Sequence, residues 1–394
     1  MDAPPIPLTG VANLWVEALA RASGDARLSG IDGATLIGER AMLGGFRIPG
    51  RVSAGGGCRL HVAREGGVAL NLSRPSDREL LPALFEADTL DVGDDEAIAA
   101  LIADRDSEPL VTRGRLMGLA IAAEREDHPP GPACATLVDG VPAASRPARP
   151  KVLDLSALWA GPLAAHLLWL AGAEVTKVES RTRPDAMRDG DDALFALLNQ
   201  GKASVTLDFR ANDDRRALLA LIAQSDIVIE AARPRALAQL GIDADELVRA
   251  KPGLVWVTIT GHGAQGEAAD WIGFGDDCGV AAGLSGALRA ASGRAGFIGD
   301  AIADPLTGIQ AAKLAWDAWR TGRGGRFGLS MRGVAAQALA EARAADPLGL
   351  DVAFKAWSDA AGRPFPAVRR RTALVPLPAW GVDTASCLAS LAPC

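Results

Sequence analysis

Beyond residue 150, short apolar runs alternate with longer stretches whose apolar positions recur at helical spacing. Lys151–Leu155 (KVLDL), Ala173–Glu179 (AEVTKVE), Ser204–Leu207, Asp226–Glu230 (DIVIE) and Leu254–Thr260 (LVWVTIT) read as strands. Leu163–Leu170 and Asp214–Gln224 (DRRALLALIAQ) carry helical spacing between them. Strands that are apolar on both faces and separated by helices predict an α/β fold with a doubly wound parallel sheet.

The first 126 residues are less regular. Cys58–Val62 and Val68–Leu72, separated by Ala63–Gly67, predict a hairpin, and Asp77–Phe85 and Asp95–Ile102 predict short helices. The expectation is a smaller α+β domain over 1–126. Residues 127–150 are rich in proline and small side chains and read as a linker. The α/β domain then covers 151–345, and 346–394 form a C-terminal segment that returns to it.

Composition narrows the function classes. The 394 residues are 49% apolar and 23% charged, which places the chain in the globular regime. A net charge of −7 argues against a nucleic-acid surface, which needs a basic field. The five cysteines have no CxxC pair and the four histidines are dispersed, so no local spacing predicts a metal. The start, MDAPPIPLTG, lacks the basic and apolar regions of a signal peptide. The apolar stretch around Leu163–Ala173 is too short to span a membrane. A reducing, cytoplasmic setting is expected.

Three features can carry chemistry. Gly261-His262-Gly263-Ala264-Gln265-Gly266 is a formal GxGxxG after a strand, the one feature on which a nicotinamide dehydrogenase would rest. It is followed by a glycine-broken stretch, so a plain loop is the better reading. Trp159-Ala160-Gly161-Pro162 follows the first strand of the α/β region; small residues and a proline there suit a helix start open to an anion. Last come the carboxylates Asp276-Asp277, Asp300 and Asp304. Asp304, before Pro305, suits an N-cap of the following helix. It equally suits a nucleophile, since a helix start favours the ionised form.

In order and spacing, several stretches over about 150–332 resemble the family III CoA-transferases, the group of formyl-CoA and carnitine CoA-transferases and α-methylacyl-CoA racemases. They are KVLDLSALWAGPLAAHLLWLAGAEVTKVES, NQGKASVTLDF, SDIVIEAARPRALAQLGI, PGLVWVTITGHGAQG, IADPLTGIQAAKLAWDAW and TGRGGRFGLSM. The resemblance implies a Rossmann-like large domain, a smaller domain and commonly an interlocked homodimer. It implies coenzyme A as cosubstrate, with acyl-CoA and carboxylic acids as substrates. It also implies a catalytic aspartate four residues before a glycine at a helix start. That spacing selects Asp304 with Gly308, and Asp300, preceded by Gly299, is the second choice. For CoA, the matching positions are Ala160, Gly161 and Pro162 together with Arg181, Arg183, Arg210, Arg233 and Arg235 near strand ends. No metal is implied.

The chain departs from the family pattern. Racemases of the family carry a histidine in a Gly-His-Asp motif, and the matching stretch here is Gly275-Asp276-Asp277. This counts against an acyl-CoA racemase, which needs a second acid/base group. Trp159 stands where some transferases have glutamine, and Ala231 where they have asparagine. A catalytically inactive CoA-binding protein of the same fold is therefore a further alternative. About seventy residues follow the TGRG motif, fewer than is usual. They include a Gly381-x-x-Thr384 signature, while the N-terminal unit resembles the family's small domain moved to the front. Gly55-Gly56-Gly57 then corresponds to a glycine-rich lid, or is an ordinary turn.

Overall fold

The computed structural model describes residues 3–126, 130–232 and 234–391; the side chains of Pro234 and Arg235 lie outside the description. The small sheet is antiparallel, in the order β1 (Cys58–Val62), β2 (Gly67–Asn71), β3 (Ala120–Ala123). The large sheet comprises β4 (Cys134–Asp139), β5 (Lys151–Asp154), β6 (Glu174–Ser180), β7 (Ala203–Leu207), β8 (Ile227–Glu230), β9 (Val255–Thr260) and β10 (Gly325–Ser330). Its order is β4-β10-β9-β8-β5-β6-β7, parallel throughout except for β4, which runs antiparallel to β10 at one edge.

Alternation along each strand feeds two apolar layers. Val152, Ile227, Ile229, Val255, Val257 and Ile259 face one core, shared with Leu163, Leu167, Leu306 and Ile309. Leu153, Val178, Val205, Val228 and Trp256 face the other, packed on Leu218, Leu221, Ile222 and Val248. The doubly wound expectation therefore holds. The chain winds β5-β6-β7 in one direction and then restarts at β8 beside β5. This makes the β5/β8 boundary the switch point, where the carboxyl ends of strands open a crevice.

Two parts of the expected domain plan differ from the structure. The helices Thr9–Ser23 and Gly33–Leu43, expected within the N-terminal unit, belong to the main core. Val11, Trp15, Val16 and Leu19 are buried in the same cluster as the helix Ala303–Arg320. An amphipathic stripe shows that a helix must be covered, not what covers it. The expected linker also contains β4, of which Val138 alone is fully buried, so its apolar signal is faint. Residues 127–129 of that linker lie outside the description.

The small sheet builds its own core from Val68, Leu70, Leu84, Phe85, Ile98, Ile102 and Ile121. A second face, with Cys58, Leu60 and Ala69, packs on Val280 and Phe297 of the large unit. At the far edge, the C-terminal segment caps β7. The Gly381 N–H donates to Ser204 Oγ at 2.9 Å, and Thr384 Oγ1 accepts the Thr206 N–H at 3.0 Å. Among the described residues, no helix is long and apolar enough to cross a membrane.

Candidate active site

The turn after β5 is held by buried charge. Lys202 Nζ donates to Asp154 Oδ2 (2.8 Å), to the Pro162 carbonyl (3.0 Å) and to Asn199 Oδ1 (3.0 Å). Lys177 Nζ reaches the Ser156 carbonyl at 2.9 Å and Asp185 at 3.2 Å. Asp185 in turn accepts the N–H of Leu158, which sits in the left-handed region at φ 67°. These bonds fix the start of the helix Ala160–Leu170. Pro162 occupies its third position rather than the first, still within the turn whose N–H groups lack intrahelical partners. Gly161 is required here, because a Cβ would lie 2.2 Å from Ser156 Oγ.

This helix start faces that of Ala303–Arg320. A Cβ on Gly308 would stand 2.7 Å from the Ala160 carbonyl, so the two helices touch through glycine. Asp304 is not the N-cap expected from its proline neighbour. Ile302 holds that position, and Asp304 lies inside the first turn, with its own N–H bonded to the Ala301 carbonyl at 2.9 Å. Its carboxylate is turned toward other elements: Oδ2 would stand 2.4 Å from a Cβ on Gly275, and the backbone N–H groups of Ala160 and Gly275 favour its charged form. Ala301, just before it, is itself left-handed at φ 41°, a strained conformation for a residue with a Cβ.

Four carboxylates gather here around one guanidinium. Asp300 is fully buried, with Oδ1 2.8 Å from Arg40 Nη1. Arg40 Nε donates to Asp191 Oδ2 at 2.9 Å, and its guanidinium lies over the rings of Phe46 (5.4 Å) and Trp159 (5.7 Å). Asp276 accepts the Ala301 N–H at 3.0 Å. Asp304 keeps a small solvent-facing edge although protein surrounds its charge. Burial pushes Asp304 up to about 7 against the pull of Arg40, with Asp276 adding repulsion. Burial likewise pushes Asp300 up to about 7, and raises Asp276.

Behind this cluster lies a pairing that local spacing did not reveal. The ring of His262 approaches Asp277 at 4.0 Å, and with Cys278 the three offer donor atoms within 4.8 Å of one another. Both His262 and Asp277 side chains are sealed from solvent. Burial moves His262 down to about 3 and Asp277 up to about 7, which favours the neutral form of each. A histidine thus stands near the Gly275-Asp276-Asp277 stretch after all, but both it and Asp277 are sealed from solvent, where a substrate would have to reach them. The Gly261–Gly266 stretch leads into a single 3₁₀ turn, Gly266–Ala269, not into the helix that a pyrophosphate requires.

The remaining predicted residues lie elsewhere. Arg181, Arg183 and Arg210 are exposed at the carboxyl ends of the adjacent strands β6 and β7, Arg181 lying 3.6 Å from Asp214. Arg233 and the side chain of Arg235 are outside the described residues. The residue that sequence reasoning missed is Arg40, which comes from the N-terminal helix Gly33–Leu43. Asp32 caps that helix through the Thr35 N–H, and the buried Glu39 pins it to Arg371 at 2.7 Å.

Comparison with known proteins bears on this arrangement. A succinyl-CoA–D-citramalate CoA-transferase of Chloroflexus aurantiacus is 33% identical over 198 residues, 45% of this chain and 48% of that protein. A succinate–glutarate CoA-transferase of Agrobacterium fabrum is 30% identical over 212 residues, 48% of this chain and 52% of that one. The crystal structure of Rv3272 from Mycobacterium tuberculosis is similar at 29% identity and a TM-score of 0.44, covering 52% of this chain and 56% of that one. The chain spans about half the length of the curated relatives it matches. The sequence model of CoA-transferase family III matches residues 150–351, more than half of the chain, and the chain belongs to that family.

Proposed function

We propose that the chain is a CoA-transferase that moves coenzyme A from an acyl-CoA donor to a carboxylic acid acceptor, with Asp304 as covalent carrier. The observation that carries this reading is the contrast between the two candidate aspartates. Asp300 is sealed and ion-paired to Arg40, whereas Asp304 retains a solvent-facing edge at a helix start, beside backbone N–H groups of Ala160 and Gly275 that favour its charged form. Only a reachable carboxylate can attack a substrate carbonyl.

The proposed steps are these. An Asp304 oxygen attacks the donor thioester carbonyl and expels CoA thiolate, leaving a mixed anhydride. The thiolate then attacks the aspartyl carbonyl, releasing the donor acid as carboxylate and leaving an aspartyl-CoA thioester. The acceptor carboxylate attacks that thioester, expelling thiolate and forming a second anhydride. Thiolate opens the anhydride at the acceptor's acyl carbon, giving new acyl-CoA and free Asp304. The Ala160 and Gly275 N–H groups, which favour the charged carboxylate, suit the negative oxygen that develops during these attacks.

Exposed Arg181, Arg183 and Arg210 are read as holding CoA phosphates. The pair of Arg181 with Asp214 is half exposed, so redirecting it costs about 1 kcal/mol at most. The turn at Gly55-Gly56-Gly57 packs on Arg40 and fits the part of lid, with Gly56 at φ 79°. A homodimer belongs to the proposal; Leu374, Trp380 and Val382 are exposed apolar side chains that a second copy would cover.

The test is mass spectrometry after incubation with a panel of acyl-CoA thioesters, beginning with succinyl-CoA, which the relatives' names suggest. Hydroxylamine traps the aspartyl adduct. Labelling at Asp304, lost in Asp304→Ala, is the expected result, and labelling at Asp300 would reassign the carrier. CoA binding without an adduct for any donor would favour an inactive CoA-binding protein, a reading to which Trp159 and Ala231 also lean.

A further inference from the structure

Resting on that reading, we propose that Arg40 is the substrate-binding residue that receives the carboxylate of the acceptor acid, which takes the place of Asp191 on the guanidinium. Electrostatics poses the problem. The donor's reacting carbonyl is uncharged, but the acceptor arrives as an anion beside Asp276 and Asp300, with Asp304 held as its uncharged CoA thioester, and like charges repel at this range. Arg40 is a cation whose field acts on both of these carboxylates.

Its two anchored edges are unlike. Nη1 is committed to Asp300, which has no solvent exposure. Nε meets Asp191, whose side chain is 30% exposed, so this is the edge that an incoming carboxylate can reach and compete for. Phe46 and Trp159 flank the guanidinium and hold its plane while partners exchange. The buried Asp300 Oδ2 has no hydrogen-bond partner, so an unpaired acceptor atom remains on the inner side of the same ion pair. Arg40 lies outside residues 150–351, so the N-terminal helix completes a site that the family-matched segment leaves without this countercharge.

Two half-reactions separate binding of the acceptor from capture of CoA. Adduct formation at Asp304 from acetyl-CoA reads the donor half, and the KM for the acid in full exchange, with radiolabelled acetate and malonate as probes, reads the acceptor half. Arg40→Gln is expected to raise the acid KM by about 10- to 100-fold, as for loss of a charge-assisted pair. Its adduct yield falls as well, because Asp300 loses its partner and Asp304 loses the pull of the guanidinium, but by a clearly smaller factor than the acid KM rises. Arg40→Lys recovers part of the KM, and Asp191→Asn lowers it by removing the competitor. Equal losses in both halves for Arg40→Gln, or a raised acid KM in Asp191→Asn, would overturn the proposal and leave Arg40 as the anchor of Asp300. Equilibrium dialysis of radiolabelled malonate separates this from the transferase reading. Malonate bound by the wild type and not by Arg40→Gln, with no adduct in either, would keep the carboxylate site and discard the transferase. Equal malonate binding by both proteins would discard the site.

Discussion

Replacing Asp304 by asparagine tests whether the carboxylate is held at a cost to the fold. An acid whose folded value is raised is neutral in both states at low pH, so it contributes nothing there. As pH rises past the unfolded value of 3.8, the unfolded chain releases its proton while the folded chain keeps its own, and stability falls. The fall ends at the folded value of about 7. A difference of roughly 3 units corresponds to about 4 kcal/mol at most. The solvent-facing edge of Asp304 and proton sharing with Asp276 and Asp300 reduce this to about 2–4 kcal/mol. Asparagine has nearly the shape of the neutral acid, but it cannot ionise. Asp304→Asn should therefore match the wild type near pH 4 and exceed it by about 2–4 kcal/mol at pH 8.5. Urea unfolding at the two pH values measures the difference directly, and the same series on Asp304 adduct formation should rise with pH through about 7. A stability difference that does not change with pH, or a variant less stable at pH 8.5, would refute the electrostatic account.

Other perturbations probe the scaffold. Gly308→Ala would place a methyl group 2.7 Å from the Ala160 carbonyl and 3.0 Å from Leu163 Cβ. It should cost about 1–3 kcal/mol in thermal unfolding and lower the adduct yield, because the two helix starts are forced apart. Lys202→Met leaves the buried Asp154 without its 2.8 Å cation, an expected loss of about 3–5 kcal/mol. The double variant Lys202→Met, Asp154→Leu should regain part of that, measured by chemical denaturation. Thr384→Val removes the acceptor of the Thr206 N–H at the sheet edge. Faster hydrogen exchange at Thr206, with about 1 kcal/mol lost, is the expected signature.

What could be read from the chain divides along physical lines. The strands were legible because a central parallel strand is apolar on both faces, as in LVWVTIT, and this pattern needs no knowledge of partners. Strand β4 was hidden because an edge strand buries little and its neighbours are prolines and glycines. The helix Thr9–Ser23 shows an apolar stripe, yet nothing local says that the stripe meets Ala303–Arg320 rather than the hairpin that follows. The same limit governs the site. Asp304 and Gly308 share one helix turn, so their spacing is visible in sequence. Arg40 and Asp300 lie 260 residues apart, and their pairing is a product of packing alone. That pairing also distinguishes two aspartates that are nearly equivalent on paper. Arg40 pairs with the sealed Asp300 while Asp304 keeps an exposed edge, and the proposal of Asp304 as carrier rests on that difference. The chemistry proposed for the family-matched segment therefore depends on a cation delivered from outside it, and a truncation that removes residues 1–50 should abolish acceptor binding even if the large sheet still folds.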